Sequence, residues 1–336
     1  MKIAIDAMGG DHAPNVIIEG TIAAVQAYGI DAVLVGPEAI IAESLKQYLP
    51  NGDPRITIQH AEQVVAMDDI PSQIVRRKPN SSMHVGLQLV KDGVCQAFYS
   101  AGNTGAVMAT ALLKLRTIDG IDRPAIATVL PSATGHSVLT DAGANVDAKP
   151  LNYLHFAIMG SAYAKAILHQ DKPRVGLLSI GEEDVKGNEV TKTVFAMLKG
   201  SKAFNFTGNI EAKEIYKGKV DVIVCDGFVG NIALKCSEAL ASFISGLLKK
   251  EIKSSIISML GALLMRSGFK RFKARVNYEE YGGAPLLGVN GICIIGHGSS
   301  SAYAVQNAVR VAKEMVEQNM NEVIRKGVAD ALQTDS

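Results

Sequence analysis

The residues of this chain best placed for chemistry lie at five junctions of one kind, where a short apolar run enters a Gly- or Asn-rich loop that opens a helix. They are IAID/AMGGDHAP, AFYS/AGNTGA, GLLSIG/EEDVKGNE, VIVCD/GFVGNIALK and ICIIG/HGSSSAY. Each such loop offers free backbone N–H groups at a positive helix end, and several together make an anion site, for which phosphate is the obvious occupant. The plainer alternative is that Gly and Asn only make tight left-handed turns. His12 and His297 sit in two of these loops, where a ring nitrogen can move a proton or simply cap and pack. Lys186, with Glu182, Glu183 and Asp184 just before it, is either a surface ion pair or a cation aimed at phosphate or a developing oxyanion. Asn103 and Asn231 stand near helix starts, where they either cap or aim an amide at an oxyanion.

Other chemistries lack their signatures. GHGSSS at Gly296 imitates a dinucleotide fingerprint, yet only 35 residues follow Ser301 and they read as one long helix, so no second strand carries the ribose-binding acid and Glu317 is misplaced for it. GEEDVKGN at Gly181 lacks the Gly-Lys-Ser/Thr ending of a P-loop. No GxSxG, HExxH or paired Cys/His arrangement occurs, so nothing signals a metal site or a covalent nucleophile. Cys225 beside Asp226 is the one thiol near a junction, and its competing reading is a small buried strand residue.

The elements that must hold these loops are visible as alternation. KIAID, AVLVG, ITIQH, CQAFYS, IATVL, VLTDA, RVGLLSIG, FNFTG, VDVIVCD and GICIIG read as strands, and residues 15–28, 106–115, 150–168, 189–199 and 301–326 as helices. That order predicts an α/β fold with a mainly parallel sheet, which places all five loops along one rim, at the carboxyl ends of the strands. The length predicts two lobes or one long sheet; as two lobes they are residues 1–125 with 285–336 and residues 126–284.

Composition sets the outer limits. With 48% hydrophobic residues the chain can bury a large core, and with 5% aromatics and no Trp it is poorly equipped to stack on nucleic-acid bases. Asp6 interrupts the N-terminal apolar run too early for a signal peptide, and no apolar run reaches bilayer-spanning length. Cys95, Cys225, Cys236 and Cys293 have neither metal-ligand spacing nor disulfide density, which predicts a cytoplasmic protein. Residues 242–276 hold eight Lys or Arg against one acid, Glu251, a formal +7. The whole chain carries +1, so the other 301 residues carry −6. Apolar residues recur there at helical spacing, which predicts either a core or dimer-interface stripe, or a basic amphipathic hairpin at 240–276 that meets anionic lipid or an acidic carrier protein.

In this order, IAIDAMGGDHAP, RRKPNSSM, SAGNTGA, GIDRPA, DAGANVDAKP, VGLLSIGEEDVKGNE, DGFVGNIALK, YGGAPLLG and HGSSSAYAV make the chain resemble the bacterial phosphate acyltransferase (PlsX) family of phospholipid synthesis over essentially its whole length. The resemblance implies a three-layer αβα fold, isopropylmalate-dehydrogenase-like or phosphotransacetylase-like. It implies a homodimer without a cofactor that converts acyl-[acyl-carrier protein] and inorganic phosphate to acyl phosphate, which a membrane glycerol-3-phosphate acyltransferase then consumes. Phosphate is itself the nucleophile, so the protein need only position it and stabilise the oxyanion.

On that reading Asn103, Thr104, Gly105, His297, Gly298 and Ser299 are expected to cradle phosphate. Lys186 and Asn231 are expected to act on the carbonyl or phosphate charge, with Asp6 and His12 handling protons. Lys249, Lys250, Lys253, Leu260 and Leu264 are expected to face the membrane or the carrier protein, which would leave a cytoplasmic protein held at the inner membrane face. The rivals are a phosphotransacetylase-type enzyme using acyl-CoA, a 3-isopropylmalate-type dehydrogenase, and an inert peripheral membrane scaffold.

Overall fold

The computed structural model describes residues 1–276 and 278–334. The chain runs β1 (Lys2–Asp6), α1 (Asn15–Tyr28), β2 (Asp31–Gly36), α2 (Glu38–Tyr48), β3 (Ile56–His60), α3 (Pro71–Arg77), α4 (Ser82–Lys91), β4 (Ala97–Ser100), α5 (Thr104–Leu115), β5 (Ala125–Ser132) and β6 (Gly135–Thr140). It continues through α6 (Pro150–Ile167), β7 (Arg174–Ser179), α7 (Glu189–Gly200), β8 (Asn205–Glu211), β9 (Val222–Val224), α8 (Gly227–Ile252), α9 (Ile256–Leu264) and α10 (Arg266–Val276). Last come β10 (Ala284–Leu287), β11 (Ile292–Ile295), α11 (Ala302–Glu317) and α12 (Met320–Thr334).

All eleven strands form one sheet in the order β3-β2-β1-β4-β11-β10-β5-β6-β9-β7-β8. Helices cover both faces. α1, α6, α7, α11 and α12 pack on one side around Ile18, Val25, Phe156 and Val309, while α3, α4 and α5 pack on the other around Ile74, Leu87 and Val107. A sheet covered on both faces explains why its central strands are continuous apolar runs such as Ile3-Ala4-Ile5, rather than alternating ones.

Three differences from the sequence reading matter. β10, inside YGGAPLLG, was not foreseen because four residues containing Pro285 give no strand signal. The expected helix over 301–326 is two helices, since Asn319 turns left-handed (φ 49) between them. The third concerns the rim. β10 pairs antiparallel with both β11 and β5, and β5 antiparallel with β6, so β6, β9, β7 and β8 run opposite to β1, β2, β3, β4 and β11. The five loops therefore do not share one edge: those after β1, β4 and β11 lie on one rim, and those after β7 and β9 start on the other.

α8 leaves the second rim, caps on Asp226, and runs 26 residues with only Gly227 and Gly230 buried. α9 has no buried residue. Together α8, α9 and the described side chains of α10 make an arm that exposes Phe243, Leu247, Ile257, Leu260 and Leu264. No helix among the described residues is long and apolar enough to cross a membrane.

Candidate functional site

Three loops close on one another at the first rim. Ser100 Oγ, at the end of β4, donates to Asp6 Oδ2 at 2.7 Å, and the Met8 amide donates to Asp6 Oδ1 at 3.1 Å. The Asp11 amide donates to the Gly298 carbonyl at 2.8 Å, which ties the loop after β1 to the loop after β11. Gly9 is required by close approach, because a Cβ there would lie 2.8 Å from both Asp6 Oδ2 and the Gly102 amide. Burial pushes the Asp6 carboxyl above its ordinary range, against the hydrogen bonds from Ser100 and the Met8 amide that lower it.

Helix starts define the donors here. Asn103 caps α5, its Oδ1 accepting the Ala106 amide at 3.0 Å, while its Nδ2 donates to the Met67 and Asp69 carbonyls at 2.8 and 3.1 Å. Its amide is thus committed to capping and to clamping the segment before α3. The first-turn amides at Thr104 and Gly105 remain as the donors this helix end can offer an anion. In the loop after β11, His297 Nδ1 accepts the Ser299 amide at 3.2 Å and lies 2.8 Å from Ser299 Oγ, so the neutral ring carries its proton on Nε2. His12 is exposed in the loop after β1.

The second rim is built on another buried carboxyl, Asp141 at the end of β6. It accepts the amides of Ile126, Gly143, Ala144 and Asn145 at 2.7–3.1 Å, and Asn145 Nδ2 at 2.8 Å. Burial still raises its pKa. Asp226, not Asn231, caps α8, accepting the Val229 amide at 2.7 Å. That frees Asn231, one turn further on, of the capping duty.

A cavity of about 1080 Å³ joins the two groups. It lies on the α5 face over β5 and β10, beneath α8 and α10. Thr104, His297 and Ser300 line it from the first rim, Ala142 and Asn231 from the second, and Ile126, Leu130, Leu234, Ala284 and Ile295 give it an apolar floor and wall. Lys249 and Lys253 line its arm end. Asp6, His12, Asn103, Gly105, Gly298 and Ser299 stand behind or beside the lining. Lys250 lies on the outer arm surface with Leu260 and Leu264. Lys186 is exposed on the loop after β7 and is not part of the lining, while the acids beside it bind other lysines, Asp184 to Lys199 and Glu182 to Lys219. Cys225 is buried, and burial with Asp141 and Asp226 nearby holds its thiol well above the ordinary value, so it is the small strand residue and not a nucleophile.

Asp141 was missed in the sequence although DAGANVDAKP follows a strand just as IDAMGGDHAP does. The repeated pattern, an acid closing a strand before a Gly-rich loop, was the available signal. The apolar cavity gave none, because its walls come from eight separated segments.

The family model described as "Fatty acid synthesis protein" matches residues 1–323. The phosphate acyltransferase of Pelotomaculum thermopropionicum is 51% identical over 328 residues, 98% of this chain and 95% of its own length. That of Geobacter sulfurreducens is 48% identical over 323 residues, covering 96% and 92%. Among solved structures, the EutD phosphotransacetylase from Staphylococcus aureus aligns over 94% of both chains with a TM-score of 0.60 at 17% identity. A branched-chain phosphotransacylase from Enterococcus faecalis aligns over 94% of this chain and 99% of its own with a TM-score of 0.58 at 14% identity. The likeness to these structures is one of fold: a large mixed sheet between helical layers. With a full-length family match and relatives about half identical from end to end, the chain belongs to the fatty acid synthesis protein family of phosphate acyltransferases.

Proposed function

We propose that the enzyme forms acyl phosphate from acyl-[acyl-carrier protein] and inorganic phosphate, feeding phospholipid synthesis. The observation that carries this reading is the composition of one cavity, in which the anion-ready helix start at Thr104 and the His297 loop face an apolar chamber that also holds Asn231. An anion site continuous with apolar space suits a charged nucleophile and a fatty acyl group held together.

In the proposed step a phosphate oxygen attacks the thioester carbonyl carbon, and the carbonyl electrons move onto oxygen. The Asn231 amide and nearby N–H donors stabilise that oxyanion. Collapse reforms the carbonyl, breaks the C–S bond and releases carrier thiolate, which takes a proton from water. No covalent enzyme intermediate is needed. Lys186 enters the reading only through a second copy of the chain. Its loop exposes Ile180 and Val185, and α8 exposes Phe228 and Ile232, an apolar surface that supports a homodimer. The arm, basic and apolar together, would lie on anionic lipid and hand its product to a membrane acyltransferase of glycerol 3-phosphate.

The phosphotransacetylase-like fold favours a second donor, acyl-CoA. Thiol release is measured with palmitoyl-carrier protein and palmitoyl-CoA, each with and without phosphate. Phosphate-dependent release from carrier protein, preferred over CoA, is the expected result; preference for CoA selects the rival, and phosphate-independent hydrolysis defeats both.

A further inference from the structure

We propose that the cavity-facing stripe of α8 measures the acyl chain, with Ala241 and Ser245 setting the length accepted; this rests on the acyl-transfer reading above. Leu234, Ala241, Ser245, Leu248 and Ile252 all line the cavity. Their spacings of seven, four, three and four residues place them on one face of the helix. From Leu234 to Ile252 the stripe extends about 27 Å at ~1.5 Å per residue. Phe269 and Phe272 of α10 face the same space, so the tail has apolar walls on both sides. Thr104, His297 and Ser300 come from the first rim and Asn231 from the start of α8, and the thioester is assigned to that pole; the tail then runs along α8 toward Ile252, with Lys235, Glu238, Lys249 and Lys253 lining the cavity beside the stripe.

Ala241 and Ser245 are the small members of the stripe. They leave lumen between the larger side chains at 234 and 248, and a ring placed at either would block a long tail while sparing a short one. Gly246 is also on α8 but outside the lining, where an added Cβ meets nothing within 4 Å, so it serves as a size control. Neither Ala241 nor Ser245 is buried, so enlarging them does not disturb the core.

The test compares wild type, Ala241→Phe, Ser245→Phe and Gly246→Phe on octanoyl-, dodecanoyl- and palmitoyl-carrier protein by kcat/KM at saturating phosphate. Each methylene lost from apolar contact costs about fourfold, so palmitoyl transfer should fall at least about 50-fold in the first two variants, the worth of roughly three methylenes, with octanoyl transfer within about threefold of wild type. Gly246→Phe should keep the wild-type preference. Equal losses on all three donors, or none, overturn the assignment. Calorimetric titration with palmitate gives a readout independent of turnover. Palmitate affinity should fall at least about tenfold in Ala241→Phe and Ser245→Phe, and unchanged affinity overturns the proposal. If the enzyme transfers no acyl group to phosphate but the two variants still lose palmitate, the function reading fails and the chain site stands.

Discussion

Asp6 and Asp141 each end a strand as a buried carboxyl, and each organises a loop by accepting backbone amides. Their elevated pKa values have a consequence of definite sign. Between 3.8 and the raised folded value, the native state binds more protons than the unfolded chain, so these groups lose stabilising effect as pH climbs through that window. Asp6→Asn removes one such group. The Tm of the variant minus that of wild type should rise between pH 4.5 and 7.5, and a flat or falling difference would show that Asp6 titrates normally. In the proposed step Asn231 is the side-chain donor to the oxyanion. Asn231→Ala should lower kcat at least about 10²-fold, as for loss of one oxyanion donor, with unchanged thermal unfolding. The sequence placed Asn231 near a helix start but could not tell capping from catalysis. The three-residue spacing from Asp226 to Val229 decides that Asp226 takes the cap.

At the scale of elements, the helix starts explain much of the site. Asn103 does three things, capping α5 and holding two carbonyls of the preceding segment. Asn103→Ala should cost about 1–2 kcal/mol in urea unfolding, and Asn103→Asp, which keeps the cap and loses the clamps, should cost less. The arm returns to the body at Gly282, whose φ of +65 and contact with α11 at Ala304 and Ala308 leave no place for a Cβ. Glu279 accepts from Ser301 Oγ at 2.6 Å and Arg310 holds the Glu280 carbonyl at 2.7 Å, so this return is fixed to the start of α11. Gly282→Ala should therefore destabilise the fold by about 2 kcal/mol or more, read by the same unfolding. The strands were legible because buried β-branched runs have one use. The four-residue β10 and the break at Asn319 were not, since neither produces a pattern longer than its own turn.

For the whole molecule, the arm concentrates positive charge and apolar surface on one projection from an otherwise acidic protein. Wild type should cosediment with anionic but not neutral liposomes, and Leu260→Glu with Leu264→Glu should abolish it while leaving transfer to soluble donor within a few-fold. Retained binding in that double variant would move the apolar face to a protein partner. The direction of the sheet is the main lesson at this scale. IATVL and VLTDA are separated by only PSATGHS, too short for a crossover helix, so their antiparallel pairing was in principle readable, and with it the reversal of half the sheet. By itself the sequence determined the α/β class and the basic amphipathic segment, because periodicity and charge are local properties of the chain, and its motifs carried the family. The tertiary structure alone decided which junctions meet. Thr104, His297 and Asn231 reach one cavity, and Lys186 does not, because strand direction and the path of α8 depend on pairings between residues far apart in sequence.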